Sequence, residues 1–284
     1  IGAETFSKAL CKINCHCMLG LSATPKRKDG LSKVFEYYIG DYVYIQKEKE
    51  SRAVEVNIIQ LKDTYPYCQE LKNYNRKLNM PRMISNIAEY NERTGMIVKL
   101  VKRIIKKEPT RQILLLSDRK DQLHFIYSLV DTHKICSVGY YVGGMKEIEL
   151  KKSEHNTLIL GTYAMSSEGM DIPSLNTLIL ATPKSDIQQS VGRILRKKSE
   201  ILPTIYDITD NFSMFINQGK KRLKYYHTTQ CIVYNVYCDL TKKLDLTKKE
   251  EVIKPQRKQR KPTKNKLEEN NECVKELDLN ICLL

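Results

Sequence analysis

Strand-like runs alternate with helix-like ones along most of this chain, and that alternation restricts what it can fold into. Strand patterns fall at residues 54–61, 113–117, 137–142, 157–161, 177–181 and 204–208. Helical patterns fall at residues 83–89, 94–107, 119–132, 146–152, 186–197 and 213–226. Strands separated by helices in this way predict an α/β domain, a parallel sheet with flanking helices. We place that domain at residues 46–240, opened by a charged link over residues 46–52. Residues 1–45 read as the end of a preceding α/β domain. They hold a helical run at 6–13, a strand at 17–21, a turn at Ser22-Ala23-Thr24, a short helix within 27–35 and a short strand at 42–45.

The helical run at 186–197 carries the most chemistry. Ser185, with Gln188 three residues on, has the pattern of a capping box just after Pro183. At about 100° per residue, Gln189, Arg193 and Arg196 fall within roughly 60° of one another. Ile187, Val191, Ile194 and Leu195 form the opposite, apolar stripe. Gly192 costs helix propensity, which predicts a close approach to the backbone there. Two guanidinium groups on one face suit the charge that develops on a transferring phosphoryl group. A basic surface helix carries arginines at the same spacing, so this helix alone leaves both readings open.

Three further stretches narrow the choice. Leu160-Gly161-Thr162-Tyr163-Ala164-Met165-Ser166-Ser167-Glu168-Gly169-Met170-Asp171-Ile172-Pro173 follows a strand-like run. Leu19-Gly20-Leu21-Ser22-Ala23-Thr24-Pro25 stands far upstream, and Ile113-Leu114-Leu115-Leu116-Ser117-Asp118-Arg119 lies between. With Gln189 to Arg196, these resemble motifs III to VI of the superfamily 2 helicases, in order and at plausible spacing. The resemblance covers roughly residues 1–240. The wording of residues 22–30 and of Tyr37 to Asp41 is most similar to helicases of nucleocytoplasmic large DNA viruses and, through them, to the poxvirus transcript-release helicase.

That resemblance implies a RecA-like second motor domain preceded by the end of a first one. It implies ATP in a cleft between two such domains, with Arg193 and Arg196 reaching the γ-phosphate, Arg196 as the favoured finger, and Gln189 positioning the nucleotide. Gly169 and Asp171 are implied near the ribose, Thr162 on a nucleic-acid phosphate, and Ser117 and Arg119 as weaker candidates for the same backbone contact. Ser22 and Thr24 are implied to couple hydrolysis to movement. Nucleic acid is the implied partner, held by its backbone without base readout; the viral likeness favours DNA or a transcription complex, in the host cytoplasm or a viral factory.

No G-x-x-x-x-G-K-[ST] occurs in the sequence, and no acidic motif precedes Ser22. Those elements cradle the nucleotide phosphates and hold magnesium. The ATP and Mg²⁺ of the resemblance are therefore expected to be held mainly by another, N-terminal half. The chain reads as the back portion of a helicase, cut after its acidic motif. The alternative is a non-catalytic nucleic-acid-binding module that lacks such a partner.

Composition bounds the rest. A 41% apolar content over 284 residues supports a real core. No apolar run has the length of a membrane span and no signal peptide opens the chain, so an intracellular, soluble protein is expected. Cys11, Cys15 and Cys17 with His16 form the sole cysteine cluster, but no C-x-x-C pair anchors a zinc site, and no metal ligand set is assigned. Residues 242–266 hold eleven Lys or Arg against three acidic residues, more than half of the net charge of +15. That favours polyanions as partners. Residues 241–284 are read as a disordered basic tail.

Overall fold

The computed structural model describes residues 8, 12, 15–21, 33–41, 43–44, 53–61, 67–167, 170–195, 201–240 and 245–253. They divide between two compact units, Ile1–Ser51 and Arg52–Leu284.

The first unit contains helix α1 (Lys33–Ile39). Residues 17–21, expected as a strand, form none: a strand needs a neighbour for its backbone groups, and no pairing is made there among the described residues. Leu19 and Leu21 are 86% and 89% exposed. Residues 43 and 44 likewise form no strand. The expected turn at Ser22 to Thr24 lies outside the described residues, as does most of the helix at 6–13.

The second unit is built on one eight-stranded sheet. Its strands are β1 (Glu55–Leu61), β2 (Ile113–Leu116), β3 (Val138–Tyr141), β4 (Leu158–Gly161), β5 (Thr177–Leu180), β6 (Thr204–Asp210), β7 (Ile232–Cys238) and β8 (Glu250–Ile253). The order across the sheet is β3-β4-β2-β5-β6-β1-β7-β8. All neighbours run parallel except β7 and β8, which are antiparallel. The helices are α2 (Met80–Glu89), α3 (Asn91–Lys107), α4 (Lys120–Thr132), α5 (Glu147–Ser153), α6 (Tyr163–Ser167), α7 (Gln188–Ile194) and α8 (Ser213–Thr228).

The central strands read ILLL, LILG and TLIL, and every residue in them is buried. Consecutive apolar residues are needed because both faces of a parallel sheet are covered by its crossover helices. Ile113, Leu115, Leu158, Leu160 and Ile179 pack with Leu100 of α3 and Leu123 and Ile126 of α4. The alternate residues Leu114, Leu116, Ile159, Leu178 and Leu180 pack with Val191 and Ile194 of α7 and Tyr226 of α8. The connection leaving β2 thus packs on one face, and those leaving β4 and β5 on the other. Strands whose connections diverge in this way open a crevice at their carboxyl ends, where α/β proteins bind ligands.

Two buried ion pairs tie helices to β6. Arg93 of α3 gives Asp210 a two-pronged contact, Nε to Oδ1 at 2.8 Å and Nη2 to Oδ2 at 2.7 Å, with both side chains fully buried. Arg222 of α8 donates from Nε to Asp207 Oδ2 at 2.8 Å, and the Tyr226 hydroxyl donates to the same oxygen at 3.0 Å.

Two expectations need correction. Strand β7 was not among the strand patterns, because polar Asn235 at its centre and exposed Tyr237 interrupt the apolar run. The stretch expected to be a disordered tail contributes β8, which adds to the sheet edge through β7. Lys249 fixes it there by a 2.7 Å bond to Glu55 of β1. Residues 254–284 lie outside the described residues.

Candidate functional site

At the carboxyl ends of β2, β4 and β5 the chain turns into three short loops that are bonded to one another. The backbone N–H of Asp118, after β2, donates to Thr182 Oγ1, after β5, at 2.9 Å. The Tyr163 hydroxyl, after β4, donates to the Thr182 carbonyl at 2.8 Å. Lys184 Nζ sits 3.3 Å from the Asp118 carboxylate and 5.1 Å from the centre of the Tyr163 ring. The Lys184 carbonyl in turn accepts from Arg222 Nη1 at 2.7 Å, so the buried Arg222–Asp207 pair braces the loop from beneath. Burial alone would lower the Arg222 pKa, but the Asp207 charge and hydrogen bond outweigh it and hold the guanidinium charged. Burial holds the Tyr163 hydroxyl far above its usual range, so it acts as a neutral donor. Asp118, Thr182 and Lys184 were not singled out from sequence. Their signal was weak: polar residues just past the apolar runs at 113–116 and 177–181.

Thr162 follows β4 directly and is half-buried. Its carbonyl accepts from Ser166 N at 3.0 Å, opening the single turn α6. Ser117 does not present its hydroxyl to the crevice. It is fully buried; Oγ donates to Gln122 Oε1 at 2.8 Å and accepts from Arg119 N at 3.0 Å. A side chain so engaged braces the turn. The Arg119 guanidinium is also occupied: Nη2 donates to the Pro81 carbonyl at 2.6 Å and Nε to Ser85 Oγ at 2.9 Å. It fastens the end of β2 to the first two turns of α2.

Helix α7 begins at Gln188, with Ile187 as N-cap and no side-chain cap. Ser185 is therefore not the cap: the apolar Ile187 is 2% exposed, and its burial fixes the helix start two residues later. Ile187, Val191 and Ile194 are buried as the stripe required, while Gln189 is exposed on the other side. Gly192 does not answer to crowding, since a Cβ built there meets nothing within 4 Å. Arg193 Nε donates to the Ser166 carbonyl at 2.6 Å and Nη1 to the Met170 carbonyl at 2.6 Å. These two bonds clamp α7 onto the segment between α6 and Asp171. Asp171 is exposed beside that clamp. Gly169 and Arg196 lie outside the described residues, as do Ser22 and Thr24.

Gln189 and Asp171 thus leave a carboxamide and a carboxylate exposed beside the half-buried Arg193 guanidinium. Among the described residues no group of His, Cys, Asp or Glu side chains is placed to hold a metal ion. No helix among them is long and apolar enough to cross a membrane.

Comparison with known proteins agrees with this geometry. The chain is 36% identical over 263 residues to L396 of Acanthamoeba polyphaga mimivirus, a protein named as an ATP-dependent RNA helicase; the match covers 89% of this chain and 50% of the relative. It is 26% identical over 249 residues to the protein named as helicase 161L of Invertebrate iridescent virus 6, covering 82% of this chain and 54% of the relative. The structure of T4 UvsW superposes with a TM-score of 0.52 at 18% identity, over 67% of this chain and 42% of UvsW, and so shares its fold. This chain belongs to the family of viral helicases that includes L396. It spans about half the length of the curated relatives it matches. No family model matches the chain. In the helicase frame, β2, β4 and α7 carry the stretches that resemble motifs IV, V and VI, and the RecA-like sheet brings them to one rim.

Proposed function

We propose that this chain supplies the second motor domain of an ATP-dependent helicase or translocase that grips nucleic acid by its backbone. The observation that carries this reading is the Arg193 clamp. It makes the loop leading to Asp171 and the helix bearing Gln189 one structural unit, so a group bound at one is felt at the other. In this reading Arg193 is a positioning residue, Arg196 is the arginine finger, and Gln189, Gly169 and Asp171 line the nucleotide. Thr162 holds a backbone phosphate, and Lys184, poised between Asp118 and the neighbouring Tyr163, adds a charge to that task. Ser22 and Thr24 couple the two motor domains. ATP supplies the phosphoryl group and Mg²⁺ neutralises its charge, both held by a domain with a phosphate-binding loop. The chain by itself therefore does not turn over ATP.

L396 is named as an RNA helicase, so single-stranded RNA is the first substrate to offer, with DNA of the same length as the competing arm. The reading is tested in a protein joining this chain to a RecA-like domain that carries the phosphate loop. Arg196→Ala is expected to cut nucleic-acid-stimulated ATP turnover by about 10³-fold or more, the usual worth of an arginine finger. Arg196→Lys keeps charge but loses the planar fork and rescues poorly. Turnover within a few-fold of normal in a folded Arg196→Ala protein removes the residue from that role.

A further inference from the structure

Between β1 and α2 the chain makes a small hairpin that no part of the motor reading uses. Lys72 and Leu78 pair antiparallel, Asn73 N donates to Lys77 O at 2.8 Å, and Arg76 N donates to Asn73 O at 2.9 Å. Arg76 takes the left-handed conformation at φ 57°, closing a tight turn with Tyr74 and Asn75 at its tip. The base is anchored: Leu71, Leu78 and Met80 pack against the cluster of Tyr67, Met83, Ile87 and Phe215. The tip is bare. Residues 72–77 are all exposed, and Tyr74 is fully so, at 103%. An aromatic ring held in water on a fixed turn contributes nothing to the core, although aromatic burial is worth more than that of most side chains.

The surroundings indicate what such a ring would meet. Lys72, Arg76 and Lys77 flank it, with Asn73 and Asn75 between, and no acidic residue occurs in sequence between Glu70 and Glu89. The hairpin follows the carboxyl end of β1, and the helix it leads into receives Arg119 from the carboxyl end of β2 at Pro81 and Ser85. It therefore rises from the same rim as Thr162 and Lys184. Cations beside an exposed aromatic ring are the chemistry of single-strand binding, in which bases stack on rings and phosphates meet the charges.

We propose that the hairpin at residues 72–78 is a stacking finger for single-stranded nucleic acid, with Tyr74 against a base and Lys72, Arg76 and Lys77 on the flanking phosphates. The proposal rests on the nucleic-acid reading above and adds a contact to the base plane. An unstacked base has both faces free, whereas a duplex offers none, so the finger favours single strands.

The test is binding of labelled homopyrimidine oligonucleotides, RNA and DNA, single-stranded and duplex, to this chain. Tyr74→Ala is expected to weaken single-strand binding about 5- to 150-fold, from the worth of one stacked base, with little change for duplex. Tyr74→Phe keeps the affinity. Lys72→Ala with Lys77→Ala instead flattens the salt dependence, by about 0.7 in the log–log slope for each phosphate no longer neutralised. The chain has no tryptophan, so Tyr74→Trp places a lone reporter at the tip, and single strands are expected to quench it. Equal single-strand affinity of Tyr74→Ala and the unaltered chain, with no quenching in Tyr74→Trp, overturns the finger while leaving the motor reading in place. No binding of either nucleic acid by the unaltered chain at low salt overturns both. Thermal melting of each variant separates a binding defect from a folding defect.

Discussion

Leu115 and Leu19 are the same residue in opposite circumstances. Leu115 lies in β2, fully buried between β4 and β5 and beneath helices. Leu19 is 86% exposed, and Leu21, Tyr37, Val43 and Tyr44 are exposed with it. The second unit contains both faces of its sheet and the partners of its buried charges. The described apolar residues Leu19, Leu21 and Val43 of the first are patterned for a core and face water. Hydrophobic sequence is thus a requirement for burial and not a cause sufficient for it; the neighbouring strands and helices have to be there. The exposed apolar side chains of the first unit are what the proposed missing half of a RecA-like domain would cover.

That contrast can be broken at its strongest point. Asp210→Ala leaves Arg93 charged and fully buried without its partner, and we expect a loss of about 3–5 kcal/mol, read as a lowered melting temperature. Replacing both residues with apolar ones of similar volume is expected to cost much less, because no orphaned charge remains. A small loss for Asp210→Ala alone would mean that the second unit is looser than its packing indicates.

The matching change in the first unit is expected to do little. Leu19→Ser or Val43→Ser should stay within about 0.5 kcal/mol in this chain, as surface changes do, while reducing the binding of an apolar dye. In a protein that also carries the first RecA-like domain, the same changes should cost as much as core truncations, about 2–5 kcal/mol. Equal, small effects in both settings would show that these side chains are surface residues in their own right.

The smallest expected effect concerns the sheet edge. Glu55 is pulled in two directions: burial, the largest influence, raises its pKa, but hydrogen bonds from Lys249 and Asn57 together with the Lys249 charge bring it below the usual 4.5. A carboxylate lowered in the folded state stabilises that state at neutral pH, and the contribution is lost as pH falls through the folded value, below about 4.5. Hydrogen-exchange protection of the β8 amides should therefore fall on acidification in that range. Glu55→Gln should lower it at neutral pH and remove the pH dependence; unchanged protection would detach β8 from this contact.

The apolar runs at 113–116, 158–161 and 177–180 were legible because a strand buried on both faces has to be apolar at every position, whatever its neighbours. Helix α7 was legible for a similar reason, its stripe of Ile187, Val191 and Ile194 having one buried destination. The ordered motifs carried the likeness to helicases. Sequence did not reveal that Ser117 is consumed by its own turn, that Arg119 reaches back to Pro81, or that Arg193 clamps the carbonyls of Ser166 and Met170. Nor did it reveal the hairpin at Tyr74, whose residues satisfy no period. Periodicity reports which side chains avoid water, a property each element carries within itself. Hydrogen-bond partners between loops depend on strand order, and the order β4-β2-β5 was decided only when the chain closed on itself.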